Sequence, residues 1–309
     1  MLTSIKALPV DARHIPFAAA AGRCAFAQRG YCEEEYLFSG TANIYDGYGE
    51  RMHVEYAEVP YTTRLIVRRP AELARFSGNI VVEILNASAH FDIDRMWVFA
   101  REYFMRHGDL YIGITSKQDT QAALQAYDLQ RYGALCWDAP FSRALPDAVP
   151  QGAMIPLSPA AETGLVWDML SDLAGLIRSG TQDQPFASYR DAKITLTGWS
   201  QSAVYLYRYL GDVVPYIKRM GGKEPYDGYF AAGGPHEMSV PINQQGYYQP
   251  EKQAPTGSSA PRFPFLTCRP KASTTGMPIF RPVLPTAMIR RFYIAVMILP
   301  GLPMIACRL

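Results

Sequence analysis

The segment from residue 193 to 210 constrains the fold of this chain more than any other segment. A short β-branched run leads into Gly-Trp-Ser-Gln-Ser at 198–202, and an amphipathic stretch follows. A sharp turn from a strand into a helix brings backbone segments into contact, so the positions two before and two after its central residue must be small. Gly198 and Ser202 meet that requirement. The pattern therefore predicts a strand–turn–helix unit with Ser200 exposed at the tip of the turn.

A serine at the tip of such a turn is typical of a nucleophile elbow, where its hydroxyl is presented to an acyl carbon. The helix that follows points its first N–H groups at any oxyanion formed beside the serine. A bare Gly-x-Ser-x-Ser string recurs by chance, and Ser200 could instead be the N-cap of an ordinary helix. We favour the elbow because a strand precedes the serine, a helix follows it, and the unit fits an alternating order of elements.

Strands and helices alternate through the middle of the chain. Nearly continuous apolar runs are typical of parallel strands covered on both faces, and apolar stripes at three- to four-residue spacing indicate helices. The predicted strands lie at 80–85, 110–115, 194–197, 229–232 and 263–267, and the predicted helices at 93–107, 161–178 and 202–210. The fold class is therefore α/β, a mostly parallel twisted sheet with helices on both faces.

The regions outside this alternation carry different signals. Residues 52–69 alternate and predict antiparallel strands with a break at Pro60, whereas residues 1–35 show no strong period and are expected to wrap the surface. Residues 117–160 are proline-rich and irregular, which predicts a lid-like insertion over a site. The Tyr, Leu, Ala and Trp residues there favour a small-molecule substrate with an apolar acyl or aromatic group.

Composition excludes several classes of protein. The net charge is +2 without a long basic run, so no nucleic-acid partner is expected. The five cysteines lack metal-ligand spacing and favour free thiols in a reducing compartment. No metal site is expected from that spacing. Residues 1–30 lack the features of a secretory signal, so we expect a cytoplasmic location. Residues 292–307 are apolar and could be a tail anchor, but they are short for a span and contain prolines, so a membrane partner is not expected.

The chain resembles the α/β-hydrolase superfamily, and within it a poorly characterised bacterial group of α/β-hydrolase domain proteins. Besides the serine segment, the resemblance rests on Val-Pro-Tyr-Thr-Thr-Arg at 59–64, Arg-Arg-Pro-Ala at 68–71 and Ser-Gly-Asn-Ile-Val-Val-Glu-Ile-Leu-Asn at 77–86. It covers roughly residues 35–267 and is specific for fold and nucleophile rather than for substrate.

The resemblance implies a serine hydrolase that cleaves an ester or related acyl bond without a cofactor. Ser200 would attack the acyl carbon, and the backbone N–H of Gln201 would form half of the oxyanion hole. The other half would come from the loop after residue 85, at Asn86, Ala87 or Ser88, and we prefer Ala87.

The resemblance also requires an acid after the last strand and a histidine near the chain end. After Glu251 the sequence contains eight Lys and Arg but no Asp, Glu or His. We therefore assign the hydrolase domain to residues 1–267 and interpret residues 268–309 as an atypical tail without regular structure, an out-of-frame or otherwise replaced ending. The C-terminal part of the fold is expected to be atypical or incomplete.

Two other places in the sequence carry a histidine that could have a functional role. His236 follows Ser200 and is a weak candidate base, because a loop histidine at the wrong edge of the sheet is the more ordinary interpretation. His90, Asp92 and Asp94 form a cluster that suits a metal or a pocket lining, but a solvated loop with an Asp N-cap is the favoured interpretation. The chain is thus predicted to be a weak or inactive hydrolase. The alternative is a catalytically impaired remnant that binds a ligand or partner.

Overall fold

In a computed structural model of the chain, nine strands of the described residues form one sheet. The structure describes residues 4–17, 25–138, 161–182, 184–234, 239–248, 266–271 and 279–282. The strands are β1 Ser4–Leu8, β2 Tyr31–Asp46, β3 His53–Pro70, β4 Asn79–Ile84, β5 Leu110–Ile114, β6 Lys193–Trp199, β7 Gly228–Ala232, β8 Leu266–Lys271 and β9 Ile279–Pro282. Their order across the sheet is β1-β2-β3-β5-β4-β6-β7-β8-β9.

The helices fill the connections between these strands. They are α1 Arg95–His107, α2 Asp119–Tyr127, α3 Leu129–Tyr132, α4 Val166–Ser179, α5 Gln201–Arg208, α6 Val214–Arg219 and α7 Gln245–Tyr248. A π-helical turn over Tyr209–Val213 joins α5 to α6. Parallel strands need such crossover connections, because their ends lie at opposite edges of the sheet.

Five neighbouring strands, from β5 through β4, β6 and β7 to β8, run parallel. The strands at the N-terminal edge, β1 to β3, are antiparallel to their neighbours, and β9 is antiparallel to β8. The predicted α/β class, with a parallel centre and antiparallel N-terminal strands, is confirmed.

Side chains of the central strands alternate between the two faces of the sheet, and a separate apolar core lies on each face. On β4, Ile80 and Val82 pack in the cluster that contains α4 and α5, whereas Val81 packs with Trp97 and Phe104 of α1. Successive strand residues point to opposite faces, so a strand covered by helices on both sides must be apolar throughout. This is why β4 and β5 carry almost continuous apolar runs.

The N-terminal region differs from its prediction. Residues 1–35 were expected to wrap the surface, but β1 and the start of β2 lie within them, and β2 pairs with β3 from Tyr31↔Pro70 to Asp46↔His53. Pro60 does not break β3. Around Pro60, β3 pairs with β2, and the pairing of β3 with β5 begins only at Leu65. Proline is tolerated where one side of a strand makes no ladder.

Two further regions correct the sequence interpretation. The stretch 117–160 is not irregular throughout, because α2 and α3 occupy its first part, while the lid prediction for 139–160 lies outside the described residues. The sheet also continues past the expected boundary at 267, through β8 and β9. The remainder of the predicted tail, 272–278 and 283–309, lies outside the described residues.

Candidate active site

Ser200 occupies the single residue between β6 and α5. Its backbone has φ 55° and ψ −117°, a combination that residues with a side chain rarely adopt. The Ser200 N–H donates to Ala232 O of β7 at 2.8 Å, and its carbonyl accepts from Ala203 N at 2.9 Å. Such strain costs about 1–3 kcal/mol and persists only where the surrounding structure enforces it. The turn holds Ser200 half-buried, at the end of the sheet rather than inside the helix.

Glycines on both sides of the turn make this conformation possible. A Cβ atom on Gly198 would lie 2.4 Å from Ser202 O, and one on Gly234 would lie 2.8 Å from Ser200 O. Backbone atoms cannot move away cheaply at either place, so only glycine fits. The close approach that the sequence predicted at Gly198 is therefore present, and Gly234 is a second such position that the pattern did not single out.

The loop after β4 lies against this turn. Asn86 Nδ2 donates to Trp199 O at 2.9 Å, and Asn86 Oδ1 accepts from Ser88 N at 2.9 Å and from Ser88 Oγ at 2.6 Å. Ala87 N donates to the Gln201 side-chain Oε1 at 3.2 Å. The structure thus places Ala87 beside Gln201, the residue directly after Ser200. It also gives the Ala87 N–H a partner that the sequence did not indicate.

A buried lysine lies beneath both segments, and sequence reasoning missed it. Lys117 is 2% exposed, and its Nζ is 2.6 Å from Leu85 O, 2.6 Å from Ser202 Oγ and 3.0 Å from Ser116 Oγ. Burial lowers the pKa of Lys117 to about 7. A lysine just after a buried strand is ordinarily solvent-exposed, so no local signal marked this one.

A histidine and a carboxylate meet beside the same loop. His90 Nδ1 lies 3.4 Å from Asp119 Oδ2, and the side chains are 62% and 2% exposed. His90 has φ 64°, and its N–H donates to Ala87 O at 2.9 Å, which ties it to the loop that contacts the turn. Burial raises the pKa of Asp119 to about 6.

The sequence matches the alpha/beta hydrolase domain family over residues 5–282. The chain belongs to this family. Its resemblance to the α/β-hydrolases, drawn from the motifs at 59–86 and 198–202, is therefore confirmed, and the family match extends past residue 267. No curated protein matches the chain.

Solved structures similar to this α/β-hydrolase include esterases and a serine hydrolase. One is the esterase Est22, with 12% sequence identity and a TM-score of 0.34, covering 66% of this chain and 44% of that chain. A putative carboxylesterase from Lactobacillus plantarum has 11% identity, a TM-score of 0.32 and coverage of 57% of each chain. An α/β serine hydrolase without a lid from Xanthomonas campestris has 10% identity, a TM-score of 0.31 and coverage of 58% and 59%. The chain spans about half the length of the first two.

The acidic residues after His90 are not solvated, which corrects the sequence interpretation. Asp92 and Asp94 are both buried in this α/β-hydrolase, and each pairs with an arginine of β3. Arg64 Nη1 lies 3.3 Å from Asp92 Oδ2, and Arg68 Nη1 lies 2.6 Å from Asp94 Oδ2. Each aspartate therefore has an arginine partner in the interior, which Arg64 shares with Glu35 and Arg68 shares with Glu33. Within the described residues, no group of His, Cys, Asp and Glu is arranged to hold a metal ion.

Glu83, not Asp94, caps helix α1. Asp94 stands at the N-cap position without a side-chain capping bond. The buried Glu83 of β4 accepts from Met96 N at 2.9 Å, from Trp97 N at 3.3 Å and from Tyr111 Oη at 2.6 Å. Burial raises the pKa of Glu83 to about 8, although these hydrogen bonds by themselves would lower it. The capping group thus comes from a neighbouring strand, which a local capping pattern cannot reveal.

Two predicted features lie outside the described residues: His236 and the apolar segment 292–307. Among the helices that the structure does describe, none has the length and apolar character needed to cross a membrane. In this described part, the histidines are His14, His53, His90 and His107, and His90 is the one on the loop that contacts the Ser200 turn.

Proposed function

We propose that this α/β-hydrolase cleaves an ester or related acyl bond, with Ser200 as the nucleophile. The conformation of Ser200 carries the proposal. A serine that serves as a helix N-cap has extended φ and ψ angles and accepts a hydrogen bond from the first turn of the helix. Ser200 has a positive φ and no side-chain capping bond. The strain at this residue therefore has no capping role, and a strained serine between a strand and a helix suits a nucleophile elbow.

The proposed oxyanion donors are the backbone N–H groups of Gln201 and Ala87. Gln201 is the first residue of α5, where the helix dipole favours negative charge, and Ala87 lies on the loop that contacts the turn. Because Ala87 N donates to Gln201 Oε1, the Gln201 side chain must turn away before an acyl oxygen can bind there. In the protein without substrate, the Gln201 side-chain oxygen therefore occupies the proposed oxyanion donor Ala87 N–H.

Within the described residues, His90 is our candidate for the general base. Its Nδ1 faces the Asp119 carboxylate, as when an acid orients an imidazole, and its loop contacts the Ser200 turn. In the proposed reaction the Ser200 hydroxyl adds to the acyl carbon and its proton passes to His90. The imidazolium then protonates the leaving alcohol, and water hydrolyses the acyl-enzyme by the same route.

His90 is exposed and only loosely paired, at 3.4 Å from Asp119, so it is weakly oriented. We therefore expect a slow enzyme. Turnover of a simple aryl ester should stay well below about 10 s⁻¹, the usual median for enzymes. The alternative function, a remnant that binds a ligand or partner without catalysis, makes a different prediction: no acyl transfer at all.

A fluorophosphonate label tests the proposal, because it reacts with activated serines. Wild-type protein should be labelled at Ser200, as read by peptide mass spectrometry, and Ser200→Ala should lose both the label and the ester hydrolysis. Ser179→Ala, at the end of α4, is the matched control and should keep both. Absence of label and of hydrolysis in folded wild-type protein would favour the remnant. Hydrolysis that survives in Ser200→Ala would assign the chemistry to another group.

A further inference from the structure

Lys117 connects the two segments that frame Ser200. Its first acceptor, Leu85 O, is the carbonyl directly before the loop Asn86–Ser88. Its second acceptor is the hydroxyl of Ser202, in the first turn of α5. The distances are 2.6 Å in both cases, which are short for charge-assisted hydrogen bonds. A single ammonium group thus bonds to both segments at once.

The number of acceptors matches the ammonium form. Ser116 Oγ, at 3.0 Å, is the third acceptor, and a lysine ammonium has three N–H groups to donate. The Ser202 hydroxyl accepts from Lys117 and donates its own proton to Leu85 O at 3.1 Å. Ser116 Oγ also donates to Leu85 O, at 3.4 Å, so this carbonyl receives hydrogen bonds from Lys117 and from both serines.

The neutral amine makes a weaker arrangement. With two N–H groups and one lone pair, Lys117 donates two hydrogen bonds instead of three and accepts one, from the hydroxyl of Ser116 or of Ser202. Its remaining bonds are no longer charge-assisted, and a charge-assisted hydrogen bond is about twice as strong as a neutral one. The link between β4 and α5 therefore weakens at the start of the loop.

We propose that Lys117 is a positioning residue, whose ammonium form holds the loop at 86–88 against the start of α5 more tightly than its neutral form does. The consequence for catalysis rests on the proposed function, because this loop and α5 supply the proposed oxyanion donors. Lys117 does not touch the reacting atoms. It acts through Leu85 and Ser202.

The surroundings of Lys117 place its titration within an accessible pH range. Burial lowers its pKa to about 7, while the carboxylates of nearby acidic residues oppose that change. The Tyr205 ring of α5 lies 4.8 Å from Nζ and also favours the cation. Among the described residues, the groups that face Lys117 are Asp119, Asp92, Glu83 and Tyr205. Next to them lie His90 beside Asp119, Arg64 beside Asp92, Tyr111 beside Glu83 and Tyr247 of α7 beside Tyr205. The loop should thus be held more tightly below pH 7 than above it.

Backbone NMR of the full chain tests the proposal without requiring activity. The ¹⁵N shift of Asn86, whose amide shares the peptide group of Leu85 O, should titrate in wild-type protein with a midpoint near the Lys117 pKa of about 7. The titration should be absent in Lys117→Arg, which stays charged, and in Lys117→Met, which carries no charge. Lys117→Arg keeps the experiment decisive if Lys117→Met does not fold. His90→Gln should keep the midpoint, which separates the lysine from the nearby histidine.

Fluorophosphonate labelling of the same proteins adds the catalytic readout. The labelling rate of wild-type protein should fall as pH rises above 7, whereas Lys117→Arg should hold its rate. If Asn86 titrates as expected but no protein is labelled at any pH, the proposed function fails and the positioning role stands. If wild-type protein is labelled but Asn86 does not titrate, or titrates equally in Lys117→Arg, the positioning role is overturned and the proposed function stands.

Discussion

The backbone N–H of Ala87 donates a hydrogen bond to the side-chain oxygen of Gln201, the residue directly after Ser200, across 3.2 Å. The contact joins the loop after β4 to the first turn of α5. Both residues are buried, so water does not readily replace the bond. In the proposed mechanism the same N–H must bind the acyl oxygen, so the Gln201 side chain competes with the substrate.

Removing this competitor should speed acylation. Gln201→Ala is expected to raise the rate of fluorophosphonate labelling about two- to tenfold, because a net hydrogen bond contributes about 0.5–1.5 kcal/mol. Gln201→Glu should lower the rate, since a carboxylate binds the Ala87 N–H more strongly than an amide oxygen. Labelling rates at matched pH check both variants. Slower labelling in Gln201→Ala would mean that the side chain supports the site instead of occupying it.

Gly198 should be irreplaceable for a reason local to the turn. Gly198→Ala would put its Cβ 2.4 Å from Ser202 O, and the backbone must then shift, so we expect a loss of at least about 1–3 kcal/mol in unfolding free energy. Gly175→Ala is the matched control. That glycine lies in α4, and a Cβ there meets nothing within 4 Å, so alanine should stabilise by about 0.5–1 kcal/mol. Urea unfolding of both variants measures the contrast, and equal changes would contradict it.

The histidine beside Ala87 should matter more than a histidine elsewhere. If His90 is the base, His90→Asn should lower ester hydrolysis about 10²- to 10⁴-fold, the usual contribution of general base catalysis. His107→Asn is the control, because His107 stacks on Tyr103 at the end of α1 and should not affect the rate. Unchanged hydrolysis in His90→Asn would exclude His90 and direct attention to His236.

The pH dependence of stability should report the buried carboxyl of Glu83. Its pKa rises from the model-peptide value of 4.5 to about 8 on folding, so the folded state binds the proton more tightly. This contribution to stability is fully present below pH 4.5 and is lost as pH rises through 8. Glu83→Gln cannot ionise and so does not lose this contribution. The unfolding free energy of Glu83→Gln should therefore increase relative to that of wild type between pH 5 and pH 8. A constant difference between the two proteins over that range would argue against the raised pKa.

Local sequence patterns determined those parts of the structure that depend on residues close together in the chain. The strand–turn–helix around Ser200 was predictable, because close backbone approach at Gly198 and Ser202 permits few residue types. The parallel central strands were predictable as well, since burial on both faces demands continuous apolar runs. The strands before residue 35 were not predicted, because they form by pairing with other strands and show no strong periodicity of their own.

The tertiary structure decided where the charges lie. Lys117 and Ser202 are 85 positions apart, and the Arg64–Asp92 pair joins residues 28 apart, so no local pattern links them. A charged residue is expected at the surface until a distant partner compensates its burial. By itself, therefore, the sequence determined the turn that carries Ser200 and the class of the sheet. Only the fold decided that a buried lysine would join that turn to the neighbouring loop, because the energy of a buried charge depends on groups that meet only when the chain folds.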